Sequence, residues 1–271
     1  MPMKNFSYAR YILKANRGSI IFGMIFISLF QFLILFLVDT FDTQLMFEAI
    51  LSQLPENIKV FLNESFFKML TFDGAAAFGF NHPMVLVLLV FIAINIPVKH
   101  IAHEIENGSM EVLLSLPVKR RWVIANLWLT GVVILFIIIL ASLAGSLLAI
   151  YTFHTISIGI VIKLLMICTN LWLLCVLIMS YTLLFATFGK RSNFSANLAA
   201  MFTLAFYLVF FVSQLWDAIE FTEPMNIFNY FQPQNIMMGK GSFVVDSIVL
   251  LSASIVCGLV AVWQFKRRDV P

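Results

Sequence analysis

HEIENGSMEVLLSLPVKRR, residues 103–121, decides how the rest of the chain is read. It carries three acids (Glu104, Glu106, Glu111), three cations (Lys119, Arg120, Arg121) and His103, in a chain of which only 11% is charged. Apolar runs flank it on both sides. Crossing a hydrocarbon core of about 30 Å takes roughly 20 apolar residues in a helix. The runs at 83–102 and 122–150 both meet that length, so the charged stretch is a short connection between two membrane spans.

Outward from it, four more runs qualify: 18–38, 159–188, 194–213 and 244–265. The chain is 61% hydrophobic with 29 Phe, whereas a water-soluble domain holds about a quarter charged residues. The expected fold is therefore all-α and polytopic, one transmembrane domain over 1–271. The cations at 4–17 precede a run of full span length without a small-residue cleavage site, so that run reads as a retained first span.

The distribution of Lys and Arg sets the orientation. With both termini in the cytoplasm, 13 of the 17 fall on the cytoplasmic side, leaving Lys59, Lys68, Lys163 and Lys240 outside or at its border. The positive-inside rule prefers this arrangement. Segment 1–17 places Phe6, Ala9, Ile12 and Leu13 on one helical face and Ser7, Arg10, Lys14 and Arg17 on another. That pattern predicts an interfacial helix with its apolar side in lipid, turning into the bilayer at Gly18. The outer loop 39–82 has helical periodicity from Ile58 to Leu70, with Glu64 and Lys68 paired at i, i+4. Pro83 suits the first turn of the helix that follows. The second outer loop, 214–243, offers Trp216, Tyr230 and Phe231 as an interfacial aromatic belt.

Within 103–121, Gly108 can end one helix and Asn107 or Ser109 can cap the next. Glu111 then stands in the first turn, where a carboxylate suits the helix dipole. Met110, Leu113 and Leu114 share a face, Pro117 stops the helix, and Lys119–Arg121 anchor the return at the headgroups. The result is a short peg on the cytoplasmic side. An apolar face rimmed by charge is a docking signal.

The pattern Glu104-x-Glu106-x-Gly108-Ser109-x-Glu111-x-Leu113-Leu114-x-x-Pro117-Val118-x-Arg120 resembles the signature of ABC-2 type transporter permeases. Ser109 stands where Thr is usual. Leu54–Glu56 and His82–Pro83 resemble one export-permease branch. The resemblance implies the ABC-2 (type V exporter) fold: six transmembrane helices with an N-terminal elbow helix, in a bacterial inner membrane. It implies a second permease copy, homodimeric or related. It further implies a cytoplasmic ABC ATPase that binds the ATP, grips segment 103–121 and drives cargo outward. The coupling residues it implies are Glu104, Glu106, Gly108, Ser109, Glu111, Leu113, Leu114, Pro117 and Arg120.

No catalytic, cofactor or metal site is expected in the chain itself. A phosphate loop needs G-x-x-x-x-G-K-[ST], and Gly239-Lys240-Gly241-Ser242 has the wrong order on the outer side. His100 and His103 with Glu104 and Glu106 read as an interfacial cluster rather than a metal site. Cys168, Cys175 and Cys257 lie in apolar runs without disulfide or metal spacing. The cations form span-end clusters, not the basic face a nucleic acid needs.

Polar residues within the spans are few: Gln31, Asn95, Asn126, Asn170, Asn197, Ser142 and Ser146. They suit helix–helix hydrogen bonds and, as the alternative, a translocation path. No acid or base is expected near mid-span. That weighs against the other reading, a stand-alone secondary transporter or channel. An apolar path suits hydrophobic or amphiphilic cargo.

Overall fold

A backbone in hydrocarbon must satisfy its own N–H and C=O groups, which leaves helices as the simplest solution. The computed structural model describes residues 6–41, 71–115, 118–189, 191–214 and 216–268. Among them the chain is helical and without strands. Six helical segments are long and apolar enough to cross a membrane.

The short α1 (Phe6–Ala15) leads into α2 (Arg17–Thr40). The second span comes in pieces: α3 (Phe72–Asn81), α4 (Pro83–Pro97), a π turn at Val98–Ala102, and α5 (His103–Glu106). Next come the peg α6 (Ser109–Ser115), α7 (Arg120–Phe153), α8 (Ile158–Phe188) and α9 (Ser192–Ser213). Two 3-10 segments, Asp217–Met225 and Ile227–Tyr230, lead through α10 (Pro233–Met237) to α11 (Phe243–Arg267).

The centre of the bundle is α8, which packs on α4, α7, α9 and α11. It is buried almost without a break from Leu171 to Leu183, as a helix apolar all round should be. Two indoles stitch it to α7: Trp172 Nε1 donates to the Val132 carbonyl at 3.0 Å and Trp128 Nε1 to Ser180 Oγ at 2.7 Å. α2 packs along α7, and a Cβ on Gly145 would overlap the Ser28 carbonyl. Small residues at such crossings let helix backbones approach. The apolar windows of α7 and α8 are each 56% buried, against 17% for α9 and α11. These last two carry the faces left open by the chain's own packing.

The second span departs from expectation. The sequence places 72–82 in an outer loop, but Phe72–Asn81 is a helix capped by the Thr71 hydroxyl, which accepts from Gly74 N at 3.1 Å. The break is His82, in extended conformation, with Pro83 opening α4 as expected. The His82 ring lies 4.8 Å from the Phe30 ring. Phe30 is ten residues before Thr40, or about 15 Å down the helix. So an imidazole that the sequence assigns to the outer rim sits well inside the span.

At the other helix ends the details also shift. The elbow between α1 and α2 is at Asn16, not Gly18. Tyr8 and Ile12 of α1 are buried against the protein, with Tyr8 6.0 Å from the Trp122 ring, so this face meets α7 rather than lipid. In 214–243, Trp216 is exposed as a belt residue should be, but Phe231 is buried in the core. The loop is tied down by Asn226 Nδ2 to the Phe206 carbonyl (2.8 Å) and Gln234 Nε2 to the Gly74 carbonyl (3.1 Å). The amphipathic pattern from Ile58 to Leu70, Glu64 and Lys68, and the Leu54–Glu56 motif lie outside the described residues, as do Lys4, Leu116, Pro117 and Lys190.

Candidate functional site

One end of the bundle gathers α1, α5, α6, the α8–α9 connection and the end of α11. Among the described residues it also holds eleven of the thirteen Lys and Arg side chains, with only Lys163 and Lys240 at the far end. This is the basic end of the bundle.

The peg is built by a reversal at Gly108, whose φ of +73° only glycine adopts without strain. Neither expected side-chain cap forms. Asn107 Nδ2 instead donates to His103 Nε2 at 3.0 Å. Ser109 Oγ donates to the Glu104 carbonyl at 3.2 Å and also reaches the Glu104 carboxylate. Met110 is fully buried, and Leu113 and Leu114 are half-buried against the core. The expected exposed Leu-Leu face is thus turned partly inward. Glu111 and Val112 face outward, Val112 with 70% of its surface exposed.

The acids before the peg are occupied by their own chain. Tyr11 of α1 donates to Glu104 Oε1 at 3.4 Å. Burial, then the nearby Glu104 charge, pushes the Tyr8 and Tyr11 hydroxyls above the ordinary phenol range. Glu106 Oε2 accepts the backbone N–H of Ser192 at 2.9 Å and the Ser192 hydroxyl as well, at the first turn of α9. Arg120 donates to the carbonyl of Arg268, whose guanidinium in turn donates to the Thr187 carbonyl (2.5 Å) and the Gly189 carbonyl (2.9 Å) at the end of α8.

A second set of contacts fixes α1 to the second span. Buried Asn16 donates through Nδ2 to the Ile12 carbonyl and to His100 Nε2, each at 2.8 Å. Lys99 Nζ donates to the Ala15 carbonyl at 2.6 Å. Both second-span residues in these bonds, Lys99 and His100, lie in the π turn beyond Pro97. So His100 and His103 direct their Nε2 atoms to asparagines.

A cavity of about 400 Å³ lies between α4 and α9. Leu86, Val90 and Ile94 line one wall, and Ala200, Leu204 and Tyr207 the other. Toward the basic end it turns polar, with Asn95 and Asn197 on its two sides. The other span polar residues divide from these: Gln31, Asn170, Ser142 and Ser146 are buried in helix packing. Ser142 and Ser146 donate to carbonyls of their own helix.

A family profile described as ABC-2 family transporter protein matches residues 16–270. The chain belongs to the ABC-2 family of transporter proteins. No curated protein matches it. As an ABC-2 family member with six apolar spans, it is a multi-pass membrane component of transport. Sequence reasoning reached the peg from its local pattern. It missed Val112, which the i+3 and i+4 spacing from Ser109 and Gly108 would have placed opposite Met110. It also missed Asn16, Tyr11, Ser192 and Arg268, whose partners are about 80 or more residues away.

Proposed function

We propose that this ABC-2 chain is the transmembrane permease subunit of an ATP-binding cassette exporter, moving a hydrophobic or amphiphilic cargo outward. A separate cytoplasmic ATPase docks on segment 103–121 and holds the ATP, and a second permease copy completes the transporter. Both termini are cytoplasmic, in a bacterial inner membrane. The observation that carries the reading is the peg at the basic end, joined by Glu106 to α9, one wall of the apolar α4–α9 cavity. Glu104, Ser109, Gly108 and Arg120 shape and hold the peg; Glu111 and Val112 supply its outer surface, with the half-buried Leu113 and Leu114 beside them. Pro117 completes the motif in sequence. The cavity lining suits a largely apolar cargo with a polar group near Asn95 and Asn197.

The test is co-expression with the candidate ATPase, followed by ATP hydrolysis in lipid with and without amphiphilic cargo. Co-purification and cargo-stimulated hydrolysis are expected. An ATPase that neither binds nor responds refutes the proposal. A second reading, a stand-alone carrier driven by an ion gradient, is favoured by His82 inside the second span. Cargo uptake into vesicles under a pH gradient, with the permease alone and no ATP, would select it.

A further inference from the structure

Toward the basic end the α4–α9 cavity finishes at Asn95 and Val98 on one side and Ala196 and Asn197 on the other. Eight residues on from Val98 along the second span, and four before Ala196 along α9, one carboxylate joins the two elements. Glu106, at the end of α5, accepts from the N–H and the hydroxyl of Ser192, the first residue of α9. The opening N–H groups of a helix have no partner inside it, and no side chain of its own caps α9. Glu106 fills that role from another element, at the positive end of the α9 dipole.

The bridge is placed to transmit motion. Glu106 is two residues from Gly108, the reversal into the peg. Higher up, α9 is pinned by Thr203 to Tyr181 and by the Phe206 carbonyl to Asn226. Its foot is tied by Ser192 to Glu106 and by Ser195 Oγ to the Phe185 carbonyl at 3.3 Å, and of these only the first reaches the peg hairpin. The Glu106 carboxylate is exposed, so water competes for it and the bridge is cheap to open.

We propose that Glu106 is a positioning residue of the transport cycle. Its bond to Ser192 latches the foot of α9 to the peg hairpin and closes the basic-end mouth of the cavity; displacement of α6 opens it. The link from the latch to ATP rests on the permease reading above. The latch itself does not.

The experiment separates the two. An Ala200→Cys reporter in the cavity wall is followed in lipid nanodiscs with a water-soluble maleimide, against the parent chain with its three native cysteines. Two variants open the latch. Glu106→Ala removes the acceptor. Ser192→Pro removes both donors while suiting the first position of a helix, and the extended backbone of Arg191 (φ −123°, ψ 140°) already fits a residue before proline. With the permease alone, both variants should label about two- to fivefold faster, the range an exposed contact supports. Labelling of both at the parental rate overturns the latch, even if their melting temperatures fall, because that is the signature of a merely structural cap. In a second arm the ATPase and ATP are added. A parental rate that rises to match the variants supports the coupled latch. A parental rate that ATP leaves unchanged, beside fast variants, retains the latch and removes the ATP-driven reading.

Discussion

A Cβ on Gly145 would overlap a backbone atom, the Ser28 carbonyl, whereas one on Gly131 would meet the thioether end of Met179. Backbone cannot step aside without moving α2 as a whole. A methionine can change rotamer, being unbranched and adaptable. Gly145→Ala should therefore destabilise by about 1–3 kcal/mol, the usual cost of overpacking, and Gly131→Ala by less. Thermal unfolding in detergent would check the order, and equal losses would show that the α2–α7 crossing is softer than its contacts imply. The peg gives a second residue-level prediction. Val112 is its exposed apolar side chain, and Leu113 and Leu114 are half-buried. Val112→Asp should cut ATPase co-purification while leaving the melting temperature of the permease unchanged. Leu114→Asp should lower both, because it also disturbs packing inside the chain. If Val112→Asp binds the ATPase normally, the docking surface lies elsewhere.

Among the elements, the joint between α8 and α9 is held from both sides by distant charges. Arg268 donates to carbonyls at the end of α8, where a cation suits the helix dipole, and Glu106 holds the start of α9. Arg268→Ala should cost about 1 kcal/mol and speed amide hydrogen exchange at 185–189 first. Uniform exchange across α8 would refute a local clasp. This joint also explains what was legible in the sequence. Each span announces itself by length and hydropathy, and five of the six expected runs agree with the helices within about three residues, whereas the second span starts at Phe72, eleven residues before the run at 83–102. α3 was not legible, because FDGAAAFGFN is short, rich in Ala and Gly, and runs into Asn81-His82-Pro83, which reads as a loop. Its reason for being helical is tertiary: Gly74 takes Gln234, and Gly79 gives room to buried Gln31. The peg was legible as a shape, because glycine, a run of apolar residues and proline punctuate it locally. Which of its acids face a partner was not, because Glu104 and Glu106 are claimed by Tyr11 and Ser192 from remote parts of the chain.

For the whole molecule, the helix order leaves one choice, namely which end of the bundle faces the cytoplasm. α1, the peg, the α8–α9 joint and the end of α11 share one end through the contacts of Lys99 with Ala15, Glu106 with Ser192 and Arg268 with Gly189. The first described helix, α1, and the end of the last, α11, therefore stand on the same side. Cations near span ends resist translocation, and eleven of the thirteen described Lys and Arg residues lie there. A far-end-in orientation would carry all eleven across. Those at Lys99, Lys119, Arg120 and Arg121 are within a few residues of spans, where the rule is strongest. A fluorescent protein that fails to mature outside the cytoplasm, fused after Arg268, should be bright. A phosphatase that folds only outside, inserted within residues 42–70, should be active. The opposite pair of results would put the peg, the Glu106 latch and Val112 outside the cell, beyond the reach of any ATP-binding partner. The permease reading would fall with it, whereas the packing of α7 against α8 would stand unchanged.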